Sequence, residues 1–339
     1  MANEIRIGLI GAGRIGALHA QLLRTRVAGA RVVAVTDINA AAAHKVAGDN
    51  EIDVVEQDAA KMIGRSELDA VLVCSATHVH EEQVCRAAEA GKHIFCEKPL
   101  ALDIGAINRM AEAVEKAGVM LQVGFNRRFD DAFARVRTGI EHGEVGDLHT
   151  LRVISRDPEP PPIEYVRNSG GLFVDMTIHD FDMVRFLAGA EVEEVYTMAD
   201  CRIDPQIGAA GDVDTAVIML RFVNRVIATI ENSRQAVYGY DQRVEAFGSE
   251  GSISTDNVYP NSATVSTASA VRRDLPLRFF LERYTESYVN ELTAFVSAVA
   301  SGSPSPVGVA DGRAPVVLGE AALRSYHEKR PVKISEVGG

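Results

Sequence analysis

Asp175, His179 and Asp182 stand at i, i+4 and i+7, a spacing that a helix would turn into one face. Ile178, Phe181, Val184 and Leu187 form an apolar stripe beside them. A carboxylate one turn from an imidazole can orient the ring and stabilise its protonated form. A general base for an alcohol proton needs that support. Two plainer readings compete. One is an ordinary helix-surface hydrogen bond, and the other is a metal site, because His and carboxylates on one face can ligate a divalent ion. No further His/Cys cluster with ligand spacing accompanies the three, so no resident metal is expected.

A second group of residues suits a different task, holding a phosphate. Gly11-Ala12-Gly13-Arg14-Ile15-Gly16 fits G-x-G-x-x-G. Gly11 would permit a tight turn, Gly13 a close approach of backbone to a pyrophosphate, and Gly16 tight packing of helix on strand. The N–H groups opening that helix would face the phosphates. Asp37 lies where an acidic residue meets an adenosine ribose. Its carboxylate would accept from a 2′-hydroxyl and repel a 2′-phosphate. The first basic residue after it is Lys45, with none between Ile38 and His44, so NAD is expected rather than NADP.

Such residues need a scaffold, and the pattern around them supplies one. Apolar runs at 5–10, 31–36, 69–75, 93–96 and 119–123 alternate with helical spacing at 14–24, 81–90 and 104–116. That alternation implies a parallel sheet wrapped by helices, an α/β N-terminal Rossmann domain over residues 1–124. Beyond it, the runs at 148–155, 193–198, 215–222, 226–233 and 243–248 are β-rich, and Gly, Asn and Asp clusters separate them. Residues 125–339 are therefore expected to form an α+β C-terminal domain with a large, mainly antiparallel sheet, plus a helix near 287–300. A chain of 339 residues is long for one core and suits two domains.

The fingerprint, Ser75-Ala76-Thr77-x-x-His80 and Glu97-Lys98-Pro99 together resemble the Gfo/Idh/MocA oxidoreductase family. Gly170-Gly171-x-x-x-Asp175-x-x-x-His179-Asp180 is similar to a motif of the same family, and it follows in the same order. A Lys-Pro pair is ordinarily a surface turn, but here it ends a strand of a parallel sheet, where ligands bind. The resemblance implies that Lys98 reaches the place where nicotinamide and substrate meet. It also implies that Arg14, Ile15, Ser75, Thr77, His80 and Glu97 attend the cofactor.

A narrower resemblance, to members of the family that oxidise inositol, comes from three further segments. They are Gly124-Phe125-Asn126-Arg127-Arg128-Phe129-Asp130, Ser155-Arg156-Asp157-Pro158 and Pro160-Pro161-Pro162-Ile163-Glu164-Tyr165. It implies a polyol pocket lined by Lys98, Arg127, Asp157, Asp175, His179, Asp182 and Tyr238, with Arg128 as an alternative to Arg127. A polyol site needs many fixed donors and acceptors, since each buried unmatched partner costs ~1–3 kcal/mol.

The implied reaction is NAD-dependent oxidation of an inositol, myo-inositol first, to an inosose. Lys98, Asp175 and His179 would be catalytic, and the primary proton acceptor would be either His179 or Lys98. Other cyclic sugars or polyols remain open as substrates. A non-catalytic NAD-binding regulator is the rival of another class, but a sensor needs no proton acceptor. The resemblance also implies an open sheet whose free face serves oligomer contacts, with a homotetramer as the expected assembly.

Composition limits the partners. With 35 basic and 47 acidic residues the net charge is −12, which disfavours nucleic acid and anionic lipid. Glu4, Arg6, Gly8 and Arg14 interrupt the N-terminal apolar stretch, unlike a signal peptide. No run of ~18 apolar residues could span a bilayer. Cys74, Cys85, Cys96 and Cys201 form no Cys-x-x-Cys pair and read as small core side chains in a reducing compartment. A cytoplasmic location is expected.

Overall fold

The computed structural model describes residues 4–337. Six parallel strands form its first sheet: β1 (Ile5–Ile10), β2 (Ala30–Thr36), β3 (Val54–Glu56), β4 (Ala70–Val73), β5 (His93–Glu97) and β6 (Leu121–Gly124). Their order is β3-β2-β1-β4-β5-β6. Helices α1 (Arg14–Thr25), α2 (Ala40–Asn50), α3 (Ala59–Ile63), α4 (His80–Glu89) and α5 (Ile104–Ala117) connect them. A sheet covered on both faces needs strands that are continuously apolar, and Ala70, Val71, Leu72 and Val73 are all fully buried. Strand order reverses between β1 and β4, and ligands bind beyond the strand ends at such a switch point.

The apolar runs of the sequence leave residues 37–68 unassigned, and α2, β3 and α3 lie there. The three residues of β3 and five of α3 are too short to show a period. In α2, the run of alanines favours helix without marking a face.

Next come α6 (Asp131–Glu141), β7 (Leu148–Arg156), α7 (Ile163–Val166), α8 (Gly171–Asp175), α9 (Ile178–Ala188), β8 (Val192–Asp200), α10 (Pro205–Ala209), β9 (Thr215–Phe222), β10 (Ile227–Ser233), β11 (Asp241–Gly248) and β12 (Gly251–Ser254). A hairpin of β13 (Thr264–Ser266) and β14 (Val271–Arg273), then α11 (Phe280–Arg283), α12 (Thr285–Ser301), α13 (Val309–Glu328) and β15 (Val332–Lys333), complete the elements. The second sheet runs β12-β11-β7-β10-β9-β8-β15. Its pairs are antiparallel except β7 with β10, as the alternating pattern led one to expect. On β9, Ala216, Ile218, Leu220 and Phe222 are buried, whereas Val217 and Met219 are 47% and 50% exposed. One face of this sheet is covered, with α9 packing on β7, and the other is open.

Packing divides the chain into two units: residues up to Phe129 with Glu286–Ala314, and Asp130–Thr285 with residues from Pro315 onward. Compared with a split at 124/125, the first unit thus runs on to Phe129 and takes back most of α12. There, Phe295 meets Phe95 edge-on at 5.7 Å, Tyr288 meets His19 at 5.7 Å, and Gln122 Nε2 donates to the Glu291 carbonyl at 3.0 Å.

Candidate active site

The turn between β1 and α1 is built on glycine for reasons internal to the protein at two of its three positions. Gly11 has φ +102°, and a Cβ there would lie 2.5 Å from the Cys74 carbonyl. A Cβ on Gly16 would come within 1.9 Å of the Gly11 oxygen. Gly13 differs, because a Cβ there would meet nothing within 4 Å. It is the N-cap of α1, contributes no side-chain cap, and is followed by no acidic residue in the first turn. The opening N–H groups of α1 are thereby left for an anion. Exposed Arg14 and half-buried Ile15 begin the helix.

Asp37 follows β2 directly. Its Oδ2 accepts from the Ala12 N–H at 2.6 Å and its Oδ1 from the Asn39 N–H at 2.7 Å, so one carboxylate fixes the glycine turn to the next loop. Beside it, Ile38 is fully exposed.

Beyond β4, the Ser75 hydroxyl bonds Gln83 Oε1 at 2.6 Å, and Thr77 opens a short 3-10 turn. His80 is buried, with Nε2 3.1 Å from the Ser75 carbonyl and Nδ1 3.0 Å from the Pro99 carbonyl. Burial pushes its pKa down despite those carbonyls, so a neutral ring donates to one of the two. It braces the loop after β4 against the loop after β5.

Glu97 ends β5, largely buried, with Oε1 2.7 Å from His19 Nε2. Half-buried Lys98 follows it. Behind them Glu291 is fully buried, and its carboxyl is pushed well up, first by burial and then by the charge of Glu97. Arg127 is buried in a 3-10 turn after β6, while Arg128 Nη2 donates to Asp311 Oδ1 at 2.9 Å.

In the second unit, the expectation of one helical face carrying Asp175, His179 and Asp182 requires correction. Asp175 closes α8, and His179 lies in the first turn of α9. The Leu172 carbonyl accepts from the N–H groups of both Met176 and Thr177, at 3.0 Å each, which widens the turn and interrupts the helix. Buried Thr177 then turns its hydroxyl to Asn232 Oδ1 at 2.7 Å, while Asn232 Nδ2 donates to Asp180 Oδ2 at 2.7 Å. The break is thus pinned to β10. His179 and buried Asp182 share α9, three residues apart and on one side.

Asp175 belongs to a cluster assembled from distant parts of the chain. Tyr165 donates its hydroxyl to Asp175 Oδ1 at 2.7 Å, and Arg234 Nη1 donates to Asp175 Oδ2 at 3.2 Å. Burial, and then the Asp175 carboxylate, push the Tyr165 phenol up, and Asp157 adds to the effect. The backbone of Asp157 is fixed as well, its N–H donating to the Ser233 carbonyl at 2.9 Å and its carbonyl accepting from Ala236 at 2.6 Å. Asp212 joins the cluster, its Oδ1 accepting from the Leu172 N–H at 3.0 Å. In the sequence Tyr165 is only part of a motif, and Arg234 and Asp212 belong to none.

Tyr238 enters a separate network. Its hydroxyl donates to Asp241 Oδ2 at 2.6 Å and accepts from Arg156 Nη1 at 2.7 Å. Along β7 and β11, Arg156 and Asp241 pair in register one step from the Ser155–Gln242 pair, so they lie on the opposite sheet face.

Comparison with known proteins matches both parts of the chain to one family. A family model described as "Oxidoreductase family, NAD-binding Rossmann fold" matches residues 5–125, and one described as "GFO/IDH/MocA C-terminal domain" matches residues 133–254. The chain is 47% identical to the myo-inositol 2-dehydrogenase of Thermotoga maritima, over 99% of this chain and 100% of the relative. It is 43% identical to the inositol 2-dehydrogenase of Rhizobium meliloti, over 98% and 99% respectively. A crystal structure of scyllo-inositol dehydrogenase from Lactobacillus casei with bound NAD(H) and scyllo-inositol superposes with a TM-score of 0.92. It is 28% identical and covers 98% of this chain and 100% of that one.

Proposed function

The chain belongs to the Gfo/Idh/MocA oxidoreductase family, and we propose that its reaction is the NAD-dependent oxidation of an inositol, myo-inositol first, to an inosose. The observation that carries this reading is the Asp175 carboxylate, held at both oxygens four residues before His179. A carboxylate fixed this near to an imidazole in the chain suits the support of a base that removes a proton from an alcohol.

The residues of the first unit fit a dinucleotide. An uncapped helix start at Gly13 suits a pyrophosphate, and Asp37 suits a ribose. Bound NAD supplies the acceptor for the two electrons and the hydrogen that leave the carbinol carbon. His179 takes the hydroxyl proton, and Asp175 orients the imidazole and stabilises its cationic form. Lys98 donates a hydrogen bond to the reacting oxygen and stabilises the negative charge that grows there. Arg127, Asp157 and Asp182 pair with the remaining hydroxyls. Tyr238 is left out of this pocket, because its hydroxyl is committed to Arg156 and Asp241 on the open face of the second sheet.

The assembly we infer is a homotetramer that uses the open face of the second sheet. Met198, Val217, Met219, Ile227 and Phe247 stand 44–66% exposed on that face, an apolar patch of the kind that interfaces cover. All four cysteines are free thiols, which supports a reducing, cytoplasmic setting. No helix among the described residues is long and apolar enough to cross a membrane.

Initial NADH production with myo-inositol, scyllo-inositol, D-chiro-inositol and glucose at equal concentrations tests the substrate. The expected order puts an inositol first, with wrong epimers much poorer, because a mismatched hydroxyl leaves buried groups unpaired. Strong activity on glucose with every inositol inert would sink the substrate while leaving the fold and cofactor standing.

A further inference from the structure

We propose that Arg234 is a positioning residue for Asp175, acting with Asp212 as a clamp that fixes α8 at both ends. The inference rests on the roles proposed above for Asp175 and His179. Arg234 follows β10 and is 1% exposed, with its backbone N–H held by the Asp214 carbonyl at 2.9 Å. A buried guanidinium costs several kcal/mol unless it is paired. Here it lies between two carboxylates, with Nη1 donating to Asp175 Oδ2 at 3.2 Å and Nη2 3.7 Å from Asp212 Oδ2.

Asp212 holds the other end of the same short helix, because its Oδ1 accepts from the Leu172 N–H at 3.0 Å. That approach requires glycine at the neighbouring position, since a Cβ on Gly171 would stand 2.9 Å from this oxygen. Asp212 thus holds the first turn of α8, Arg234 holds its last residue, and the attraction between them joins the two grips. Tyr165 takes the second oxygen of Asp175, so rotation of the carboxylate is restrained from two sides.

Arg234 Nε and Nη2 and Asp212 Oδ2 are buried without a hydrogen-bond partner. A core concerned only with packing would favour an apolar side chain of similar volume. The buried charge is understandable if its return is the orientation of Asp175.

A double-mutant cycle tests this. Arg234→Met is expected to lower kcat on the order of 10–100-fold, the scale for losing a group that orients a reacting one, with NAD affinity unchanged. Combined with Asp175→Asn it should add little, because Arg234 acts through Asp175. Arg234→Lys, which keeps the charge without the planar fork, should recover part of the loss. Additive losses, or a change confined to KM, overturn the proposal. If Arg234→Met does not fold, Asp212→Asn decides: a reduced kcat that is non-additive with Asp175→Asn supports the clamp, and a normal kcat overturns it. A slow Asp175→Asn beside a normal Arg234→Met removes this inference alone. A silent Asp175→Asn removes the reading of the site, and this inference with it.

Discussion

Asp37 spends both carboxylate oxygens on backbone N–H groups, one in the glycine turn and one in the loop after β2. Asp37→Ala should therefore weaken NAD use in two ways, through the ribose and through a loosened turn, and narrow the gap to NADP. The ratio of kcat/KM for the two cofactors measures this, and equal efficiency in the unmodified enzyme would overturn the assignment. At the reacting groups, His179→Ala and Lys98→Ala should each cost ~10²–10⁴-fold in rate, the usual scale of acid–base catalysis. NAD binding should persist in His179→Ala, and near-normal turnover at saturating substrate would exclude that residue as the base. Asp175 and His179 were legible because four residues separate them in a motif. Tyr165, Asp212 and Arg234 were not, because folding alone brings them to the same carboxylate and its helix. The spacing also implied one continuous helix. A hydroxyl and an amide side chain at Thr177 and Asn232 end it instead, and periodicity carries no record of such a bond.

At the level of elements, α12 completes the first unit. Phe295 and Leu292 are fully buried, and Phe295 meets Phe95. Truncating Phe295 to Ala should cost ~3–5 kcal/mol, read as a lower urea midpoint, and weaken NAD binding by loosening the sheet beneath it. An unchanged midpoint would mean that α12 is not part of this core. The network at the start of β11 makes a pH-dependent contribution. Burial alone would raise the Asp241 carboxyl, but hydrogen bonds from Arg243, Tyr238 and Asn257 outweigh it and hold the group at about 2. A depressed carboxyl stabilises the fold above its unfolded pKa, and that support fades as pH falls from about 4 towards 2. Its size is about 2 kcal/mol. Asp241→Asn should lower stability near neutrality by about that much and flatten the acid limb of the stability profile. An acid limb identical to that of the unmodified protein would rule the network out as its source. Strands of the first sheet other than β3 were readable because burial on both faces makes them largely apolar. In the second sheet alternation revealed β9, whereas the two residues of β15 carry no pattern of their own.

For the whole molecule, the open sheet face ties solution behaviour to sequence. Met219 lies between Tyr196 and Thr229 in register, at the middle of the exposed patch. Met219→Lys should shift the mass seen by light scattering from that of the proposed tetramer to a smaller species, and an unaltered mass would show that this face is not the interface.

The interleaved path of the chain has a consequence for the order in which it is made. It leaves the first unit at Phe129 and returns only at Glu286, while the second unit waits for β15 to pair with β8. At ~5–20 residues per second, the nascent six-stranded sheet stands without α12 for roughly 10–30 seconds. Through that interval the surface around Phe95, which Phe295 later covers, faces the ribosome and its attendant chaperones. A message cut short between the start of the second unit and the last helices therefore releases two unfinished cores, not one finished cofactor-binding module.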